Sequence, residues 1–304
     1  MAVMIDRRHF IGGCCAVAGA LLAGCKEHGA SKRCPGGRSD FAKIDWVTSV
    51  KDVRQIGPQG GPPVVVLHEL PGLTDDDLAL ARCLSKEQFH VYVPTLFGQF
   101  GQDNVLRGLK QACLGSTPLF ACSELSARSA VLDMLEPLCD EIARHEGRPI
   151  GVVGMCLTGM LPLALLPNQV TAAVLCQPTL PFDFSQRKPS GQQVTNLGLG
   201  AADLTEACES SVPFMVMHYA GDELCPVERI QALNDTFGAR VATVQLSGDH
   251  HSSLAGDFHE QAFADAVAYL KVRLGARTGP TVMQVARLGG RRCEIAYDGT
   301  WRAL

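Results

Sequence analysis

Residues 60–275 predict an α/β domain with a mainly parallel central sheet and helices on both faces. Three observations carry that reading. Short β-branched and apolar runs recur along the stretch, segments with apolar residues at helical spacing lie between them, and Gly or Pro closes most of the runs. Strands that alternate with helices pair in parallel, and a parallel sheet is covered on both faces. The composition supports a core of that size, with 304 residues of which 46% are hydrophobic.

In chain order, residues 46–55 predict an opening strand or strand pair, closed by Gly57-Pro58. Residues 64–68 form a continuous apolar run between Pro62-Pro63 and Pro71-Gly72, which reads as a buried central strand followed by a loop. A helix is predicted over 74–86. Thr74 caps it, and Asp75, Asp76 and Asp77 occupy its first turn, where carboxylates complement the helix dipole. Residues 90–93 give the next strand, ended by Pro94. Between 124 and 145, Ala127, Ala130, Val131, Met134, Leu135, Leu138 and Ile142 fall at helical spacing, while Pro137 predicts a kink or a break. Residues 149–155 form a strand, followed by a helix-like segment at 160–166. Strands follow at 172–176, 213–219 and 241–246, with helices at 227–237 and 259–274. Beyond residue 277, short strands at 282–286 and 293–297, joined by Gly289-Gly290, predict an added hairpin.

The N-terminus reads as an address. Arg7-Arg8 precede an uncharged Ala/Gly/Leu-rich stretch that ends in Leu22-Ala23-Gly24-Cys25. This resembles a twin-arginine export signal with a lipobox, which implies lipidation of Cys25 and loss of residues 1–24. The expected organisation is a signal over 1–25, a polar linker over 26–45, the α/β domain over 46–277 and an extension over 278–304. The expected location is periplasmic or membrane-anchored, with the membrane touched only through the lipid. Net charge is −4 with no basic cluster among aromatics, so nucleic acid is not an expected partner.

The 13 cysteines form no C-x-x-C pair and no Cys/His cluster at zinc spacing, so no structural metal site is expected, and no cofactor. Cys83, Cys122, Cys139 and Cys176 sit beside apolar residues and read as reduced core residues. Their irregular spacing argues against a disulfide scaffold.

One stretch points to chemistry. In residues 150–159 an apolar strand breaks at Gly154, Cys156 follows two residues later, and Leu157-Thr158-Gly159 opens a helix-like segment. That is the pattern of a nucleophile elbow, with small residues where strand and helix pass closely. Parallel sheets place their sites at the carboxyl ends of strands. Four groups stand at such ends: Glu69, Cys156, Asp222 and His251, with His250 competing for the role of His251. The order nucleophile, acid, histidine is that of α/β-hydrolases. In that chemistry a histidine takes the thiol proton and an aspartate holds the imidazole tautomer. Backbone N–H groups stabilise the oxyanion.

On these residues the chain resembles the dienelactone hydrolase family, cysteine enzymes of the α/β-hydrolase fold, over residues 60–275. The resemblance rests on His68-Glu69-Leu70-Pro71-Gly72, on residues 90–98, on Gly154-Met155-Cys156-Leu157, on Gly221-Asp222 with Pro226, and on residues 248–251. It implies hydrolysis of a small-molecule ester or lactone through an acyl-enzyme. Cys156 would be the nucleophile, His251 the base and Asp222 the third member. Glu69 would interact with the resting thiol, and the N–H groups of Leu157 and Leu70 would form the oxyanion hole. Two departures stand out. Thr158 occupies a position usually held by glycine. Ala255 lies four residues after the histidine, where members specific for dienelactone carry an arginine for the substrate carboxylate. Arg107 is the nearest candidate for a second such arginine, and Arg187 and Lys188 lie in the loop over 178–211. The rival readings are a non-catalytic small-molecule-binding lipoprotein on the same fold and a thiol redox protein.

Overall fold

The computed structural model describes residues 29–101, 104–114, 119–120, 127–180, 192–275, 282–288, 291–296 and 301–303. Eight strands form the central sheet: β1 (Ala42–Ile44), β2 (Val53–Ile56), β3 (Pro63–Leu67), β4 (His90–Pro94), β5 (Ile150–Met155), β6 (Val170–Cys176), β7 (Phe214–Tyr219) and β8 (Val241–Leu246). Their spatial order is β1-β2-β4-β3-β5-β6-β7-β8. β1 and β2 pair antiparallel, as do β2 and β4, and every neighbour pair from β4 onward is parallel. The chain is therefore an α/β protein with a mostly parallel sheet, as its alternating pattern predicts.

Strand β3 shows why the run is unbroken. Val64 and Val66 face one core beside Leu78, Leu84 and Leu270. Val65 and Leu67 face the other beside Leu135, Leu138 and Ile142. With both faces dry, a polar residue in β3 would be buried without a partner, whereas each fully buried Val or Leu side chain contributes about 1.5–3 kcal/mol. The helices Asp75–Lys86 and Glu260–Arg273 cover one face, and Leu132–Glu146 and Val227–Phe237 cover the other.

The helix Asp75–Lys86 begins in a reciprocal cap. Thr74 Oγ1 accepts from the Asp77 N–H at 3.3 Å, and Asp77 Oδ2 accepts from the Thr74 N–H at 2.7 Å. The helix Leu132–Glu146 starts later than the spacing suggests and runs through Pro137 without a break. Pro137 and Asp133, whose carbonyl loses its partner there, both lie on the solvent face, where water can take the bond. Gly147, at φ 65°, closes the helix.

Residues 29–44 correct the expected linker. Ala30 is fully buried, and its N–H donates to the Ala255 carbonyl at 2.8 Å. Ser31 N–H donates to Asp76 Oδ1, Arg82 Nε donates to the Cys34 carbonyl, and Arg38 pairs with Asp75. Ser31, Cys34 and Arg38 are engaged with the helix Asp75–Lys86 and Arg33 pairs with Glu260, so this segment is a strap rather than a solvated tether. A disulfide between Cys34 and Cys83 fastens it. This also corrects the reading of Cys83 as a reduced core thiol. Its partner is 49 residues away, a pairing that only the fold creates. Cys139 and Cys176 are buried and free as expected. Cys122, the stretch over 1–25 and Cys25 lie outside the described residues.

At the far end, β9 (Val282–Leu288) and β10 (Arg291–Ala296) form the expected antiparallel hairpin, and β11 (Trp301–Ala303) adds a third strand. Among the described residues, no helix is long and apolar enough to cross a membrane.

Candidate active site

Cys156 stands at the end of β5 with φ 52°, one of three non-glycine residues among those described with a positive φ. That strained conformation turns the chain out of the sheet and lifts the side chain above it. The surroundings leave no alternative packing. A Cβ on Gly154 would sit 2.4 Å from the Thr158 carbonyl oxygen, and one on Gly159 would sit 2.8 Å from the Cys176 carbonyl oxygen. After Cys156 the chain makes a 3-10 turn, Cys156–Thr158, and a single helical turn, Leu161–Ala164, shorter than the helix predicted over 160–166.

Glu69, Cys156 and His251 converge. One ligand atom from each lies within 4.8 Å of the other two. His251 Nδ1 meets Asp222 Oδ2 at 2.7 Å, which leaves Nε2 for Thr179 Oγ1 at 3.4 Å and for the Cys156 sulfur. Asp222 is aimed by its own loop: its Oδ1 accepts from the N–H groups of Leu224 and Cys225 at 2.9 and 3.2 Å. The histidine loop is tied by Asp257, whose Oδ2 accepts from the N–H groups of His251 and Ser252, each at 3.1 Å. His250 points elsewhere. Its side chain is 55% exposed, its Nδ1 lies 3.8 Å from Asp257, and its ring stands against Tyr219. Of the two competing histidines, His251 is the one at the sulfur.

Glu69 is held from two sides. Ser252 Oγ donates to its Oε1 at 2.5 Å, and Gln177 Nε2 donates to its Oε2 at 3.4 Å. Gln177 is fully buried at φ 33°, and its Oε1 accepts from both Ser253 Oγ and the Ser253 N–H. It therefore joins the acid to the histidine loop. Behind the acid, His68 Nε2 accepts from the Leu96 N–H, so Nδ1 carries the proton and donates to the Glu69 carbonyl at 3.1 Å.

The electrostatics favour a quiet thiol. Burial pushes the Cys156 thiol up and the neighbouring Glu69 adds to this, while His251 and the Leu157 N–H pull it down. His251 is also buried, which opposes its charge, yet Asp222 and the sulfur raise it well above the usual imidazole value. Glu69 is raised by burial, against the pull of His251. Burial lowers His68 to about 4, so it is neutral near pH 7.

Against this geometry the comparisons with known proteins are specific. Residues 52–268 match the dienelactone hydrolase family. The chain belongs to that family. No curated protein matches it. Among solved structures, a Klebsiella pneumoniae protein provisionally assigned as a dienelactone hydrolase aligns at 16% identity and TM-score 0.52, covering 78% of this chain and 98% of that one. Thermus thermophilus TT1662 aligns at 17% identity and TM-score 0.52, covering 78% and 99%. Pyrococcus horikoshii acylaminoacyl peptidase aligns at 13% identity and TM-score 0.52, covering 79% of this chain and 43% of that one. At such identities these structures share the fold alone.

The two departures from the dienelactone hydrolase pattern have structural places. Thr158 does not crowd the elbow. Its hydroxyl accepts from the Met155 N–H at 3.0 Å and lies within donating distance of the Leu67, His68 and Met155 carbonyls, at 3.0–3.2 Å. It stitches the elbow to the end of β3, the loop that carries Glu69. Ala255 is buried, and its carbonyl receives the strap. Arg107 is exposed on the short helix Val105–Leu109, and Arg187 and Lys188 lie outside the described residues. Leu157 and Leu70 directly follow the sulfur and the acid in sequence. Sequence reasoning missed Gln177, Thr179 and Ser252. The strand-end criterion that selected the other four reaches Gln177, the residue just after β6. Ser252 and Thr179 carry no such signal, because their partners are remote in the chain.

Proposed function

We propose that the chain is a hydrolase of small-molecule esters or lactones using a Cys156-His251-Asp222 triad and an acyl-enzyme. The observation that carries the reading is the meeting of Cys156, on its strained elbow, with the His251 imidazole that Asp222 orients. In this account His251 Nε2 takes the thiol proton as the sulfur attacks the acyl carbon. The resulting oxyanion accepts from the N–H groups of Leu157 and Leu70. His251 then protonates the departing alkoxide, leaving a thioester on Cys156. Water, deprotonated by the same nitrogen, attacks the thioester and regenerates the thiol. Asp222 holds the proton-bearing Nδ1 throughout. Glu69 keeps the resting sulfur protonated, which protects it from oxidation until a substrate displaces the acid.

The same reading includes export, with Cys25 as the lipid attachment site. The Cys34–Cys83 disulfide supports an oxidising compartment. Loss of palmitate labelling in Cys25→Ala tests the anchor, and unchanged labelling contradicts it. The hydrolase reading is tested by turnover of a small aryl ester. Cys156→Ala should lose at least about 10³-fold in kcat/KM with the fold intact by circular dichroism. An undiminished rate contradicts the triad.

A further inference from the structure

We infer that Glu69, Cys156 and His251 also form an inhibitory binding site for a soft divalent metal ion, Zn2+, which holds the triad shut until it is removed. The inference shares Cys156, His251 and Glu69 with the hydrolase reading, but does not rest on turnover. Their donor atoms form a thiolate sulfur, an imidazole nitrogen and a carboxylate oxygen, mutually within 4.8 Å. Zn2+ takes this donor set at about 2.0–2.3 Å, which sets neighbouring donors about 3.3–3.7 Å apart in a tetrahedron. The three groups need only rotamer-scale movement to reach that spacing. The chain has no zinc spacing in its sequence, because strands β3, β5 and β8 bring the donors together.

The surrounding contacts are those that a zinc site requires. The ligating imidazole would use Nε2, and its Nδ1 is already paired with the Asp222 carboxylate at 2.7 Å. A carboxylate behind a zinc-bound histidine fixes the tautomer and raises ligand basicity. The ligating carboxylate is itself oriented by Ser252 and Gln177. Three protein ligands leave the fourth tetrahedral position for water. On binding, the Cys156 S–H bond breaks, an S–Zn bond forms, and the proton leaves to solvent with no change of oxidation state. The dication offsets one thiolate and one carboxylate, so the buried cluster becomes neutral. In that state the sulfur is coordinated and cannot attack an acyl carbon.

The full chain, with its free thiols reduced and in a Cys208→Ser background that removes the one exposed free cysteine among the described residues, is titrated with CoCl2 and then ZnCl2. One equivalent of Co2+ should give an intense near-ultraviolet thiolate-to-cobalt band, and Zn2+ should bleach it. Zn2+ should also slow alkylation of Cys156, mapped by mass spectrometry, by at least about 10-fold, and a chelator should restore the rate. Asp222→Asn should weaken the affinity by about 10–100-fold while keeping the band. Absence of the thiolate band in the parent protein, or a band of equal strength in Cys156→Ala, overturns the site. The titration uses no substrate and is read separately from ester turnover. A chain that binds the ion but hydrolyses nothing overturns the triad instead, and a chain that hydrolyses but gives no band overturns only the metal site.

Discussion

Removing the Cys34–Cys83 crosslink separates the N-terminal strap from the helix beside the site, and the consequence can be worked from the fold. The bond joins positions 49 residues apart. In the chain-entropy treatment, closing a loop of that length destabilises the unfolded chain by about 4 kcal/mol at 25 °C. For a domain of this size each kcal/mol moves the thermal midpoint by about 2–4 °C, so losing the bond should cost about 8–16 °C. Cys34→Ser and Cys83→Ser should fall by similar amounts, and the double variant should fall little further, because either change removes the same bond. The strap should also become accessible, because the Ala30–Ala255 hydrogen bond and the Arg82–Cys34 contact lose their tether. Thermal and urea unfolding of the oxidised parent and the three variants, with limited proteolysis between residues 29 and 41, make the measurement. Midpoints within about 2 °C of the parent would refute the reasoning. So would peptide mapping that finds Cys34 and Cys83 as free thiols in protein taken from its own compartment.

Four further outcomes are expected. Asp222→Asn should lower kcat by about 10²–10⁴-fold with little change in thermal midpoint, since it disturbs the imidazole tautomer rather than the core. Glu69→Gln removes a negative neighbour that raises the Cys156 thiol, so the pH midpoint for iodoacetamide alkylation should move down, and an upward move would contradict the assigned role of Glu69. Thr158→Val leaves the buried Met155 N–H without its acceptor and should cost about 1–3 kcal/mol in urea unfolding, while a neutral result would show that the elbow does not depend on that hydroxyl. Asp265 and His68 should impose opposite pH slopes on stability. Burial raises the Asp265 carboxyl to about 6, so its contribution is complete below about pH 4 and lost as pH rises through 6, and Asp265→Asn should flatten that loss. Burial lowers His68 to about 4, so its contribution is present above about pH 6.5 and lost as pH falls toward 4. Urea midpoints at pH 4, 5, 6 and 8 separate the two.

The features legible in the sequence were those encoded locally. The apolar run before His68, the Thr74 cap with its three aspartates and the glycine-flanked Cys156 each carry their physical cause within a few residues, and each element lies where that cause puts it. Asp222 and His251 could be selected because strand-end position is itself a local property. What was not legible depends on contacts between distant segments. The polar strap could not be told from a tether without the helix that binds Arg38 and Ser31, and Cys83 could not be paired without the strap. Pro137 suggested a break because the sequence does not show that the carbonyl it orphans faces water. Thr158 departs from glycine at its position, and the reason, a hydroxyl bridging two strand ends, lies in contacts the sequence does not show. Gln177 stands at a strand end like the other four, but its role of joining Glu69 to Ser253 is set by partners distant in the chain.

The most direct test is to trap the acyl-enzyme. The protein is mixed with a slowly hydrolysed aryl ester, quenched in acid during the burst and digested, and the acylated residue is mapped by mass spectrometry. The account predicts a thioester on Cys156 that accumulates in the parent and forms far more slowly in His251→Ala. An acyl group on any other side chain, or a steady-state rate that survives in Cys156→Ala with no adduct at residue 156, would contradict it.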